Sequence, residues 1–551
     1  MSSAPSPTPP RVRRLPLTGV LRLGRPSDIW FKPALSVVVA VAPPNLTLLA
    51  LGRLDLAMYT MAGSLCALYA HHRPYAARAR ALAWVVLGML GGLAVALVTA
   101  SLTTDAVVLV TVGALLAAVQ KVLCDATRIG PPGHVVLAFI SSASLFAPQT
   151  LGQVPGHLAL GAAAGAWAWI VGMAPGLLRP HGPERRATAH ALNATAAYVV
   201  TRGNGEGAAR ARAAAAAAVH GAWQSLLSTG ARSAPRRALE RLVVRAEVAL
   251  AAPAETEPER LRAWARALRG TGPVPRPGDL ADAADELLGV DAALAFGEPP
   301  LLRRLGPLAP IALRTALGCA LAGYVSLVLG VGRPYWALVT AASLYQANVT
   351  LTWSRGVQRV VGNLVGVLVF AAIAPLAHLG PASLVLCCLV LNFGAEALIG
   401  RNYWLGSICV TPMALLITEF ARVQQSGELI TDRVVDTFVG ALVGFVAAIA
   451  VTNRRAGDRI EYALDAVERA REQAAGLLAP AHAEAGALES ARRGLAAAVV
   501  DLRATADAAA GEWWQRALPE ERVMRAEQAG HRTLAATVRR QGLHSLEGAQ
   551  A

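Results

Sequence analysis

Apolar positions along the chain come in long unbroken runs rather than in the alternation of a half-buried strand or the stripe of a surface helix. They lie near 33–51, 54–70, 81–100, 105–120, 134–148 and 156–175, and again near 308–330, 334–351, 360–377, 381–399, 403–420 and 434–452. A helix needs roughly 17–25 apolar residues to cross a bilayer. The pattern predicts an all-α polytopic membrane protein with about twelve transmembrane helices, arranged as two six-span sets. Pro43 and Pro44 interrupt the first run and predict a break there.

Charges fill the gaps between these sets, crowding into 1–32, 179–304 and 453–551. Five regions follow: a Pro/Arg-rich cytosolic leader (1–30), a first six-span membrane repeat (31–176), a cytosolic helical region (177–303), a second six-span repeat (304–453) and a C-terminal cytosolic helical region (454–551). Stretches such as "EPERLRAWARALRG" place Ala and Leu at helical spacing with charge on the opposite face. Pro273, Pro275 and Pro277 punctuate the first of the two regions.

Small residues mark the sets as repeats. Gly88 and Gly92 match Gly362 and Gly366, while Gly161 and Gly165 match Gly440 and Gly444 at nearly the same offset. Four-residue glycine spacing lets helix backbones approach closely in lipid, so these eight are read as packing positions. With a cytosolic N-terminus, the inside loops carry Arg73, Arg78, Arg80, Lys121, Arg128, Arg179, Arg185, Arg186, Arg355, Arg359, Arg401, Arg454, Arg455 and Arg459. The outside loops carry Arg53, Arg333, Arg422 and Arg433. That asymmetry places both termini inside. An even number of spans per set makes the repeats parallel.

Composition narrows the class further. The chain of 551 residues is 54% hydrophobic and 16% charged, below the roughly 25% charge of ordinary globular domains. The net charge of +15 is explained by positive-inside loops, and no nucleic-acid partner is expected. The only lysines, Lys32 and Lys121, do not follow glycine, so a phosphate-binding loop ending in Gly-Lys is absent. Cys66, Cys124, Cys319, Cys387, Cys388 and Cys409 sit in or beside apolar runs without metal-ligand spacing. His181, His190, His220 and His482 are scattered and read as solvated helix surface. No enzyme activity, cofactor or metal is expected.

The stretch "WSRGVQRVVGNLVG" places Arg355 and Arg359 one helical turn apart at the mouth of the ninth run. They serve either as lipid-headgroup anchors or as a vestibule that captures carboxylates, for which a guanidinium fork is well suited. Arg314 falls in the first turns of the seventh run, and Glu396 late in the tenth. Glu396 either carries protons or pairs with Arg314 or Arg401, with pairing favoured. Asp436 is read as pairing with Arg433. Gln346, Asn348, Thr350 and Asn363 either line a path or join helix to helix.

The segment "GRPYWALVTAASLYQANVTLTWSRGVQRVVGNLVG", with "RNYWLGSICVTPMALL" and "DRVVDTFVGALVG", resembles the fusaric acid resistance-like family, which includes bacterial aromatic acid exporters. The shared pattern is a Tyr-Trp entry, a mid-span Gln, then Arg-x-x-x-Arg-x-x-Gly-x-x-x-Gly. The chain departs from it at Asn363, where the family usually has Thr, and Ala81 and Val85 stand opposite the two arginines in the first set. The resemblance implies a bacterial inner-membrane efflux transporter for small organic anions, aromatic carboxylates above all. It would be driven by membrane potential or a proton gradient, with Arg355, Arg359, Gln346, Asn363, Glu396 and Arg314 near the substrate path. A passive organic-anion channel and a non-transporting scaffold for envelope assembly are the alternatives. The expected partners are the organic acid and the lipid bilayer, with a homo-oligomer left open.

Overall fold

The computed structural model describes residues 15–548 apart from 16, 25–29, 202–205, 229–232, 252, 254–255, 276–304, 347, 421–424, 452–455, 479–484 and 511–518. Most of the leader, Pro277, Arg422, Arg454, Arg455 and His482 therefore lie outside the described residues. Within them the chain is helical throughout and contains no strand.

The first set comprises α1 (Phe31–Ala50), α2 (Ala57–Ser64, flanked by short 3-10 turns), α3 (Tyr75–Leu102), α4 (Ala106–Ala126), α5 (Val135–Leu145) and α6 (Val154–Met173). Four charged helices follow: α7 (Gly182–Val200), α8 (Glu206–Leu227), α9 (Ala234–Ala251) and α10 (Pro258–Arg269). The second set is α11 (Ala309–Val328), α12 (Tyr335–Leu344), α13 (Val349–Ala377), α14 (Pro381–Ile399), α15 (Tyr403–Thr418) and α16 (Ser426–Ala450). The chain continues through α17 (Ala456–Leu478), α18 (Ala485–Ala510) and α19 (Glu520–Gly548).

Eight helices among the described residues are long and apolar enough to cross a membrane, four in each set. The second and fifth helices of each set are shorter. Burial explains why the second helices can be short. All ten residues of α12 are buried, as are seven of the eight in α2. A helix wrapped by protein need not match the lipid thickness, because irregular backbone is tolerated at membrane depth where protein covers it. The run expected at 334–351 accordingly stops at Leu344 and restarts at Val349, where the Asn348 side chain accepts from Leu351 N at 2.8 Å.

The expected break at Pro43 and Pro44 does not occur, since α1 is one continuous helix. Pro43 lacks the N–H that would bond the Val39 carbonyl, and Trp167 of α6 donates its indole N–H to that oxygen at 3.0 Å. An indole from a neighbouring helix thus replaces the missing backbone donor.

Helix pairing is the same in both sets. The second helix packs on the sixth and the third on the fifth and sixth. Between sets, α1 packs on α14 and α4 on α11, so the first helix of each meets the fourth of the other. Seven of the eight predicted glycines lie at tight approaches. A Cβ on Gly440 would sit 2.4 Å from the Ala337 carbonyl oxygen, and one on Gly362 2.6 Å from that of Trp404. Gly366, Gly444, Gly161, Gly165 and Gly92 are similarly crowded, the last by Gln120 and Ser141 side chains. Gly88 departs from expectation, because its nearest neighbour would be a Leu137 methyl at 3.9 Å, ordinary contact that alanine could also make.

Lipid-facing rows such as Phe438, Leu442 and Val446 are exposed. The charged helices reverse this, with α7–α10 enclosing Leu192, Trp223, Leu242 and Leu261, and α17–α19 enclosing Val467, Leu495 and Leu502. The two charged regions meet, α8 against α18 and α9 against α19. Loops rich in arginine also converge: Arg73 donates to the Thr127 and Arg128 carbonyls at 2.9 and 2.8 Å, and Arg78 to that of Gly172 at 3.1 Å.

Gly440→Ala should lower the melting midpoint of the purified protein by the equivalent of about 1–3 kcal/mol of overpacking. Gly91→Ala, whose Cβ meets nothing within 4 Å, should hold or raise it through better helix propensity. Equal midpoints for the two variants, measured by thermal unfolding in detergent, would contradict this packing.

Candidate functional site: a buried arginine–tyrosine cluster

The two arginines of the ninth run do not stand at its mouth. Helix α13 begins at Val349, well before the run's apolar boundary, so Arg355 and Arg359 occupy its second and third turns. Hydropathy placed the boundary after the charges, whereas α15 supplies a partner that lets the helix carry them inward. That partner is Tyr403, the first residue of α15, which the Asn402 cap sets in place. The Arg355 guanidinium carbon lies 3.9 Å from the Tyr403 ring centroid, a cation–π contact on its face. Arg359, only 4% exposed, donates through Nη1 to the Tyr403 hydroxyl oxygen at 2.9 Å. One tyrosine therefore holds both cations.

A third arginine closes on them from α16. Arg433 is 2% exposed, stacks 5.2 Å from the Trp336 ring of α12, and lies close enough to Arg359 for their charges to repel. One turn along the same helix, Asp436 accepts from Ser326 of α11 at 2.6 Å. The expected Arg433–Asp436 ion pair does not form. The ion pair at this end is Arg333–Asp432 at 3.0 Å, whose members are only partly buried. Three guanidinium groups thus lie on neighbouring positions, Arg359 between Arg355 and Arg433, with Asp436 the carboxylate near Arg433. Arg359 Nε, Arg433 Nε, Trp336 Nε1 and Asp436 Oδ2 are buried without a hydrogen-bond partner. Unsatisfied buried donors beside unbalanced charge are expensive in an apolar bundle. They fit an anion.

The remaining candidates divide. Asn363 donates to Thr437 at 2.9 Å and accepts from Thr411 at 2.6 Å, which ties α13 to α16 and α15. It joins helices directly below the cluster and offers no open polar group to a path. Gln346 lies half-buried in the break between α12 and α13, where its N–H donates to Thr352 Oγ1 at 3.2 Å. Arg314 donates through Nε and Nη2 to the Val451 carbonyl at 3.1 and 2.8 Å, a cation satisfying the last turn of α16. Glu396 pairs with neither Arg314 nor Arg401. It is half-buried on α14, with no ion pair or hydrogen bond among the described residues, and the near group of opposite set is Tyr69. Arg401 is exposed, and its carbonyl accepts from Gly24.

That last bond belongs to a strap. Residues 20–24 run across the start of α15, where the carbonyls of Val20, Leu21 and Arg22 accept from Gln358, Trp404 and Asn402. The leader thus borders the helix that holds Tyr403. In the first set, Ala81 and Val85, opposite the arginines, are buried apolar residues at 5% exposure each. The charged cluster is a property of the second set.

Sequence reasoning did not bring Tyr403, Trp336 and Arg433 together with the arginine pair. A signal was present in the two Tyr-Trp pairs, Tyr335–Trp336 and Tyr403–Trp404, each opening a short helix. Tyr403→Phe should cost about 1–3 kcal/mol, because Arg359 loses its acceptor while Arg355 keeps an aromatic face. Tyr403→Leu removes both supports and should cost more. Thermal unfolding of the two variants checks the order, and a Phe variant as stable as the native protein would contradict it.

Residues 320–447, which contain the whole cluster, match the family model described as fusaric acid resistance protein-like. An uncharacterized membrane protein, YvaC of Bacillus subtilis (strain 168), is 30% identical over 137 residues, covering 24% of this chain and 22% of that protein. The chain thus matches about a fifth of that relative's length. No solved structure matches. The arginine–tyrosine cluster therefore lies in a segment that is fusaric acid resistance protein-like, within a polytopic helical membrane protein.

Proposed function

We propose that the protein is a bacterial inner-membrane transporter that exports small organic anions, aromatic carboxylates among them, through the Arg355–Arg359–Arg433 cluster. The observation that carries this reading is the surplus of buried guanidinium charge with unsatisfied N–H groups beside Tyr403 and Trp336. A carboxylate satisfies the cations, and the two rings offer faces to an aromatic body. The position supports it too. Short helices interrupted at corresponding places in two repeats are where transporters build their substrate sites, and the α12–α13 break adjoins the cluster.

In this reading all twelve apolar helices cross the membrane as two parallel six-span repeats (31–176 and 304–453), with both termini and both charged helical regions in the cytosol. The shared pairing pattern and the meeting of the two charged regions support that arrangement. The protein performs no chemistry on its cargo. An inside-negative potential favours anion exit by about 2.3 kcal/mol per charge per 100 mV, so export needs no nucleotide. Unpaired Glu396 provides a group for coupling to protons.

Flux of a carboxylate panel in proteoliposomes, with potential and pH gradient imposed separately, tests the reading. Saturable flux is expected. Arg359→Gln and Arg433→Gln should each lower it about tenfold or more, the loss of one charge-assisted bond. Glu396→Gln should remove the response to the pH gradient and leave the response to potential. Unitary currents would replace the carrier with an anion channel, and no flux from folded protein would favour a scaffold.

A further inference from the structure

A cavity of about 560 Å³ lies outside the membrane sets, in the junction between the two charged helical regions. Small-molecule sites commonly span roughly 300–1,000 Å³. Its walls come from α8 and α9 on one side and from α18 and α19 on the other, so it exists only because the two regions dock. Most of the lining is apolar, with Val219, Leu227, Leu250 and Val499 among it.

The polar groups in it are mainly cationic. Arg493 lies 3.6 Å over the Trp223 ring and is ion-paired to Glu489, donating to it through Nε at 2.6 Å, while its Nη1 is buried without a partner. Arg212 donates to the Tyr198 hydroxyl oxygen at 3.0 Å, a neutral partner. Arg532 is the third. Arg492 bridges Glu489 and Glu247, joining α18 to α9. Burial pushes His531 down to about 4, aided by Arg212 and Arg503, and lowers His220 as well. Both histidines stay neutral near pH 7 and offer hydrogen bonds without altering the charge balance. Glu247 and Glu489 together balance Arg492 and Arg493, so Arg212 and Arg532 leave an excess of positive charge over an apolar chamber, to which Arg493 adds its unpartnered Nη1.

We propose that this cavity is a second ligand site, built to bind an amphipathic organic anion whose carboxylate or sulfonate meets Arg493 and Arg212 while its apolar body fills the space beside Trp223. No residue of the membrane cluster lines it. Because both charged regions form its walls, occupancy fastens the region that follows the first set to the one that follows the second. The site senses an anion rather than conducting it.

Equilibrium dialysis of naphthalene-2-carboxylate against the full chain in nanodiscs tests this, in an Arg359→Gln/Arg433→Gln background that removes two of the membrane cluster's three cations. One saturable site is expected to remain. Arg493→Gln should weaken it about tenfold or more, and Ala216→Trp, which fills the chamber from α8 without touching a charge, should abolish it. Naphthalene-2-carboxamide should fail to compete. Loss of all binding in the Arg359→Gln/Arg433→Gln background, or equal competition by the amide, overturns the proposal. Photolabelling of the unsubstituted protein with benzophenone-4-carboxylate needs no stable variant. Adducts on α8, α18 or α19 support the site, and adducts confined to the membrane helices overturn it. Neither readout depends on flux, so failure here and failure of the transport reading are told apart.

Discussion

Charge held inside an apolar helical bundle must be balanced there, and Tyr403 is the group on which that requirement turns. Its ring takes Arg355 and its hydroxyl takes Arg359, so two cations enter the bundle on one side chain. Neither contact removes charge. A neutral partner lets guanidinium groups be buried without quenching them, which a carboxylate in the same place would have done. Two other buried arginines are held by backbone carbonyls instead. Arg78 is bound by the carbonyls of Ala70, His71 and Gly172, and Arg314 by that of Val451. The contrast separates structural arginines from the cluster.

The same economy governs the helices. Glycines at Gly362, Gly366, Gly440 and Gly444 bring α13, α15, α12 and α16 into backbone contact, and this closeness places Tyr403 and Trp336 beside the arginines. The first set repeats the packing with Gly92, Gly161 and Gly165 yet fills the arginine positions with Ala81 and Val85. Two similar scaffolds thus differ at these positions, apolar in one and cationic in the other.

Much of this was legible in the residues. The two sets, the charged regions between and after them, and the glycine register all follow from patterns local to each helix. What was not legible depended on partners distant in sequence. Short α12 looks like a full span because its apolar run continues to residue 351, and burial by neighbours permits the helix to end at Leu344. Pro43 and Pro44 predicted a broken α1, but Trp167 mends it from another helix. Arg433 and Asp436 are close in sequence and looked like a pair, while Trp336 and Ser326 claim them separately. The cavity beside Trp223 and Arg493 has no sequence signature, since it arises where two remote regions meet.

The central claim is that the cluster holds an organic anion within the membrane bundle. Anomalous diffraction from crystals grown with 4-iodobenzoate tests it most directly, because the iodine marks the ligand independently of any functional assay. The account predicts an iodine peak between α13, α15 and α16, with the carboxylate at hydrogen-bonding distance from Arg359 and Arg433. Crystals that bind the compound elsewhere and leave the three arginines without a carboxylate would contradict it.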